Sequence, residues 1–455
     1  MNELHLSAQS LGQIPIADPI VKIVRAALAA VDPYQAVLNT FQIEDNKFKC
    51  GEQVYSRADI HQLWVIGAGK AGFPMAKAIQ ELFSEWNPRG CVIVKEGHSP
   101  QTKLNPGLTL RAAGHPIPDE RGIKATQEII ELLAGVRADD LVICLISGGG
   151  SALLSAPAAG LTLQDLQSTT EWLLRAGADI EAINRVRKHL DTIKGGGLAR
   201  RMTPAQGITL ILSDVLGDSL ESIASGPTVP DSSTYQDALT VLEQFDLVSK
   251  VPQRVLWHLQ NGANGLVDET AKPGDSCFER LSEYVIGSNK IAARAACAQA
   301  AENGFNPILL TTYLQGEARQ AGRFLAAILK QVAATDQPVK RPAMLVAGGE
   351  TTVTVRGDGL GGRNLECALG AVPDMDGLRD TCLLTLATDG GDGPTDAAGA
   401  IVTGDTLRRA LSAGLLPEDY LARNDSYHFF AALGDLLKPG PTLTNVNDLI
   451  FGFAW

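Results

Sequence analysis

Six consecutive apolar residues at 141–146 lead into Ser147, three glycines and Ser151. A run of that length without alternation predicts a strand buried on both faces, as in a parallel sheet. Strand signals recur at 63–69, 91–95, 108–114 and 208–215. Between them the apolar spacing changes to the helical period, at 70–86, at 121–136 and between 162 and 200. Residues 17–40 predict an opening helix, with Ile20, Ile23, Val24, Ala27 and Leu28 on one face and Asp18 before Pro19 at its start. Strands alternating with helices predict an α/β fold with a doubly wound, Rossmann-like, mostly parallel sheet.

The pattern weakens over 231–278, and 261–276 is rich in Gly, Pro and polar residues, as in an exposed loop or a domain boundary. A second set of elements follows. Strands are predicted within 284–290, 306–312, 343–355, 383–391 and 400–404. The glycine pair at 348–349 inside a β-rich stretch suggests a hairpin or bulge, and so a mixed sheet. The expected organisation is an N-terminal domain over 1–260, a linker or loop over 261–282 and a C-terminal α/β domain over 283–455. A cleft between two such domains is the default place for a ligand.

Composition narrows the function. The chain has 455 residues, of which 45% are hydrophobic and 20% charged, and a net charge of -12. That balance argues against a nucleic-acid binder and against anchoring to an anionic membrane, while a local basic cluster can still hold a phosphorylated ligand. The seven cysteines show no metal or redox spacing, which fits a reducing compartment. The first twenty residues lack a basic region followed by an apolar run, and no stretch approaches the ~20 apolar residues of a membrane span. A cytoplasmic location is expected. Assembly as a homodimer is left open.

Several stretches can carry chemistry. A strand that breaks through Gly148, Gly149 and Gly150 into a helix turns backbone amides toward an anion, and Ser147 and Ser151 add hydroxyls. The plainer alternative is a turn in which glycine is needed only for its dihedrals. Gly67, Gly69 and Gly72 form a G-x-G-x-x-G after a strand, which invites a dinucleotide, with Glu96 as the ribose carboxylate. Lys70 inside that turn is either an anion-binding lysine or a surface charge. Arg187, Asp191 and Lys194 share one face of a helix predicted over 181–200, either solvated or turned to a carboxylate or phosphate. Asp214 closes an apolar strand, where it can hold Mg²⁺ or accept a proton, or merely cap a turn. Arg363 follows a glycine cluster, as an arginine that neutralises a transferring phosphoryl group does, or as an ordinary helix-start residue. Asn364 beside it, and Asp389 in a strand-terminal acidic loop, are candidates for acceptor hydroxyls, and Asp389 also for metal. The amide-rich stretch at 444–448 lines the same cleft or forms turns. There is no Walker P-loop and no G-x-S-x-G elbow.

Taken together, GAGKAG (67–72), GHPIPDERG (114–122), SGGGSALL (147–154), NRVRKHLDTIKGGGLA (184–199), LSDVLGDSLESIASGPTVPD (212–231), AGGETTV (347–353), GLGGRNLE (359–366), ATDGGDGPTDAAGA (387–400) and TNVND (444–448) resemble the glycerate 2-kinase family, whose C-terminal part is called the MOFRL domain. The resemblance covers most of the chain. It implies a two-domain enzyme with its active site in the interdomain cleft, and ATP- and Mg²⁺-dependent phosphorylation of D-glycerate at the 2-hydroxyl. It implies catalytic roles for Lys70 and Arg363, with Asp214 as a further match. It also implies a phosphate cradle at 148–151, to which Ser147, Gly67 and Gly69 are added as nucleotide candidates. Metal would fall to Asp214 or Asp389, and the glycerate carboxylate to Arg187. The family pattern carries a small residue, usually glycine, before TNVND, where this chain has Leu443. Relatives have also carried the label hydroxypyruvate reductase. An NAD(P)-dependent reductase using Gly67–Gly72 and Glu96 is therefore an alternative, and a non-catalytic nucleotide or sugar-phosphate binder is another.

Overall fold

The computed structural model describes residues 6–98 and 104–455 and divides into two units. One is Pro33–Ile286. The other joins Gly287–Trp455 to the chain up to Asp32.

The first unit opens with an antiparallel meander of β1 (Phe41–Glu44), β2 (Lys47–Cys50) and β3 (Gln53–Ser56). Its aromatic residues Phe41, Phe48 and Tyr55 pack with Phe83 and Trp86. The main sheet holds β4 (Leu63–Ala68), β5 (Arg89–Lys95), β6 (Leu108–Ala113), β7 (Leu141–Ser147), β8 (Gln206–Leu212) and β9 (Leu281–Gly287), in the order β6-β5-β4-β7-β8-β9. The pairs β6–β5, β5–β4, β4–β7 and β7–β8 are parallel. Every residue of β7 is buried, as its uninterrupted apolar run requires. Successive side chains serve opposite faces. Ile143 and Leu145 pack with Met75 and Ile79 of the helix Gly72–Leu82, whereas Cys144 and Ile146 pack with Ala125 and Ile129 of the helix Glu120–Leu133. The sheet grows outward from β4 in both directions. The strand order therefore reverses between β4 and β7, the switch point where open α/β sheets bind ligands.

The second unit has β10 (Asn306–Leu314), β11 (Ala343–Gly349), β12 (Thr381–Ala387), β13 (Gly399–Thr403), β14 (Leu436–Leu437) and β15 (Asp448–Ala454), in the order β10-β11-β15-β12-β13-β14. Only β10–β11 is parallel and the other pairs are antiparallel, so the sheet is mixed. The helices Ala318–Thr335 and Arg363–Met375 share its core. They approach so closely that a Cβ on Gly322 would overlap the Cys367 carbonyl.

The structure departs from the predicted boundaries in four places. The opening helix is two, Ala17–Ala29 and Pro33–Thr40, and the units separate in the break between them. Thr444 Oγ1 donates to the Val31 carbonyl at 2.6 Å, and Ser10 bonds Asp435, which holds the N-terminal segment on the second unit. Residues 261–282 are not a linker between units. They are tied into the first unit by Ala271 N to Gly195 O at 3.0 Å and Thr270 Oγ1 to Asp231 Oδ2 at 3.0 Å, and β9 then completes the first sheet rather than opening the second. The helix predicted over 181–200 stops at His189, because Asp191 turns back to accept from Ser155 Oγ and Ala156 N. Gly196, at φ 76°, starts a separate helix, Gly197–Met202. Finally, β11 ends at Gly349 without forming a hairpin. Among the described residues, no helix is long and apolar enough to cross a membrane.

Candidate active site

The paired register of β4 and β7 brings their C-terminal ends side by side, Ala68 opposite Ile146. The chain leaving β4 is held by its own amides. Gly69 N donates to Ile93 O at 3.0 Å, Lys70 N to Gly148 O at 2.9 Å and Ala71 N to Ser147 Oγ at 3.0 Å. Gly67 lies within β4, where a Cβ would overlap the Leu145 carbonyl oxygen, and a Cβ on Gly69 would overlap Ser147 Oγ. These glycines are needed for close packing. With its amides already engaged, the G-x-G-x-x-G turn offers no cradle to a pyrophosphate. Glu96, the expected ribose ligand, instead pairs with Arg121 at 3.0 Å. Ser147 is buried, with its hydroxyl committed to Ala71. The dinucleotide site predicted at Gly67, Gly69 and Glu96 thus lacks its donors.

The second loop differs. Gly149 has φ 84° and caps the short helix Gly150–Leu153. Among the described residues, the amides of Gly149, Gly150 and Ser151 donate to no loop or side-chain acceptor. These three residues border a cavity of about 310 Å³, shared with His115, Asn184, Arg187, Lys194 and Asp214. A Cβ on Gly148 would overlap the Asp214 carboxylate, and one on Gly150 would stand 2.9 Å from Ala224 Cβ, so the loop must be glycine to lie this close to its wall. That wall is strained. Ala224 and Ser225 are consecutive non-glycine residues at φ 50° and 61°. Ser225 Oγ is 2.8 Å from Ser151 Oγ and donates to Asn184 Oδ1 at 2.9 Å.

Two cations stand at this loop without an ion-pair partner among the described residues, Lys70 and Arg187. Arg187 Nε donates weakly to Thr170 Oγ1 at 3.4 Å, and burial lowers its affinity for its proton with no carboxylate to offset it. A half-buried guanidinium facing a cavity is poised for an anion. Lys194, by contrast, is spent on Asp191 and the Leu154 carbonyl.

In the second unit, Arg363 begins the helix Arg363–Met375. Its guanidinium is held bidentately by Asp448, Nε–Oδ2 at 2.5 Å and Nη2–Oδ1 at 3.1 Å, and by Glu350 at 2.8 Å. Burial works against its charge, but Asp448, Glu350 and Asp392 outweigh it and hold the proton above the ordinary arginine range. Asn364 is buried and fully used. Its side chain donates to Asp448 Oδ1 at 2.9 Å and its carbonyl accepts from Thr385, so it braces the arginine and does not face an open pocket. Asp389 is exposed; its carboxylate accepts from Gly391 N, a turn contact, and its backbone carbonyl from Thr442 N. The buried acid of that loop is Asp392, which accepts from the amides of Asn364 and Leu365. Burial pushes Asp392 up to about 6. Glu350, Asp392, Asp448, Asn184 and His115 were not singled out from sequence, although all five lie inside the quoted motifs.

No group of three or more His, Cys, Asp or Glu suited to a metal exists among the described residues. A protein-built metal cage is therefore missing, but Mg²⁺ ordinarily takes one or two carboxylates and draws its other ligands from phosphates and water. Asp214, a carboxylate against the glycine loop, fits that role. Asp389 fits it less well, being exposed and engaged in its own turn with Gly391 N.

Residues 20–260 match the family described as a domain of unknown function, DUF4147, and residues 343–448 match the MOFRL family. A glycerate 2-kinase of Pyrococcus horikoshii is 41% identical over 436 residues, covering 95% of this chain and 96% of its own. The chain belongs to the glycerate 2-kinase family. The solved glycerate kinase of Thermotoga maritima superposes with a TM-score of 0.86 at 41% identity, over 96% of this chain and 99% of that one. This matches the two-unit α/β architecture described above. A relative from Agrobacterium vitis, 40% identical over 94% of this chain and 92% of its own, carries a hydroxypyruvate reductase name instead. The committed amides around Gly69 give that name no support in this member of the family.

Proposed function

We propose that the protein transfers the γ-phosphoryl group of ATP to the 2-hydroxyl of D-glycerate, releasing 2-phosphoglycerate and ADP. The observation that carries this reading is the pair of cations without an ion-pair partner among the described residues, Lys70 and Arg187, beside a glycine loop with unspent amides. The amides of Gly149, Gly150 and Ser151 receive phosphate oxygens. Arg187 binds the carboxylate of glycerate inside the cavity. Lys70 and Arg363 neutralise charge on the transferring group, and Asp448 and Glu350 fix the plane of the Arg363 guanidinium. Asp214 would hold Mg²⁺, which supplies charge neutralisation at the phosphates. Transfer is direct, since phosphoryl transfer asks mainly for positioning and electrostatic stabilisation. The seven free cysteines support a reducing, cytoplasmic setting.

Incubation with ATP, Mg²⁺ and D-glycerate, followed by ³¹P NMR, tests the reaction. A resonance of 2-phosphoglycerate is expected. Only 3-phosphoglycerate, or turnover only of NADH with hydroxypyruvate in a parallel assay, would reject the proposal.

A further inference from the structure

His115 has no part in the roles given so far. Its imidazole packs on Gly149 so closely that a Cβ there would stand 2.8 Å from its Cδ2 and 3.0 Å from its Nε2. It borders the same cavity as Arg187 and Asp214. Neither ring nitrogen has a hydrogen-bond partner among the described residues. Among the described residues, the cavity is bordered by four titratable side chains, His115, Arg187, Lys194 and Asp214. Arg187 cannot give up its proton in water. Lys194 is bonded to Asp191 at 3.1 Å and to the Leu154 carbonyl at 2.8 Å. His115 and Asp214 remain as groups able to take a proton from an acceptor hydroxyl.

Charge separates these two. Burial, with Lys70, Lys95 and His98 nearby, pushes His115 down to about 4, so its ring is neutral with a free lone pair near neutral pH. A neutral base meets an incoming polyphosphate without like-charge repulsion, which a carboxylate does not. The phosphates then offset the same cations that suppress protonation of the ring. Proton affinity rises when the nucleotide is in place.

We propose that His115 is a catalytic residue that takes the proton of the 2-hydroxyl as the phosphoryl group arrives. The inference rests on the glycerate kinase reading. The O–H bond breaks and its proton passes to the free imidazole nitrogen. The oxygen forms the new P–O bond, and the bond from the γ-phosphorus to the β,γ-bridging oxygen breaks with its electron pair leaving on ADP. The imidazolium then returns its proton to water.

The experiment compares wild type, His115→Ala and His115→Gln with ATP, Mg²⁺ and D-glycerate, with and without added imidazole, and with circular dichroism as a folding control. The expected result is a kcat lower by ~10²-fold in both variants, with KM for both substrates changed by less than about threefold. Added imidazole should return a large part of the rate to His115→Ala. A kcat within about threefold of wild type in either variant overturns the inference, as does a loss that imidazole does not return. Failure of the wild type itself to form 2-phosphoglycerate would instead count against the kinase reading.

Discussion

Arg187→Met removes the cavity's guanidinium and keeps most of the length of its apolar stem. The arginine has no carboxylate partner among the described residues, and burial already lowers its proton affinity. Hydrogen bonds to a charged group contribute about 1.5–3 kcal/mol each, so loss of a carboxylate contact costs about 3 kcal/mol. At about 1.4 kcal/mol per factor of ten, kcat/KM for D-glycerate should fall ~10²-fold. The loss should appear mainly in KM, since the carboxylate is bound alike before and during transfer. Stability should move the other way. Removing a half-buried cation that lacks a carboxylate partner among the described residues relieves desolvation, so the denaturant midpoint should hold or rise. A coupled ADP-release assay, titrating each substrate in turn, reads the first effect and urea unfolding the second. A KM for glycerate within about twofold of wild type, or a rise confined to ATP, would refute the assignment of Arg187 to the carboxylate.

Other outcomes follow from the second unit. Arg363→Lys keeps the charge but loses the fork that Asp448 holds, and kcat should drop ~10²-fold in the same assay; an unchanged kcat would make the charge alone sufficient. Leu443 is half-exposed at φ 63°, the conformation that a glycine relieves, so Leu443→Gly should raise the thermal midpoint by about 1 kcal/mol equivalent, and a lower midpoint would contradict the strain. Asp392 is held at about 6 against its usual 3.8, which corresponds to about 3 kcal/mol. Its folded state binds the proton more tightly than the unfolded state, so its contribution is present below about pH 4 and is lost as pH rises through about 6. Relative to wild type, Asp392→Asn should therefore gain stability between pH 4 and 7; parallel stability curves for the two proteins would show that Asp392 is not perturbed.

The parallel sheet was legible because a strand buried on both faces leaves an apolar run, and β4, β5 and β7 each show one, with β8 broken only at Thr209. The β1–β3 meander was not. Lys47 and Lys49 interrupt it, and its burial depends on Phe83 and Trp86, which come later in the chain. The break after His189 was hidden because Leu190 and Ile193 continue the helical stripe, while the cause is a hydrogen bond from Ser155, 36 residues away. In the candidate site, residue type could raise Asp389 and Asp392 equally. Only burial separates them, since Asp389 is exposed and Asp392 is 2% exposed. Likewise Ser147 and Ser151 flank the same glycines, but one hydroxyl is turned to Ala71 and the other borders the cavity. Lys70 and Arg363 owe their place among the candidates largely to the family resemblance, as periodicity says nothing about an isolated cation.

The division of the chain has a consequence for its synthesis. The unit Pro33–Ile286 is continuous, whereas the other is assembled from both ends of the chain. The helix Ala17–Ala29 leaves the ribosome long before the strand Asp448–Ala454 that completes its sheet. At typical elongation rates that interval is on the order of tens of seconds. During it the enclosed unit can finish folding, while the helix keeps Ile20, Ile23 and Val24 without their final cover. The protein is in effect one domain inserted into another, and nascent chains should be most prone to aggregation and chaperone capture in that interval.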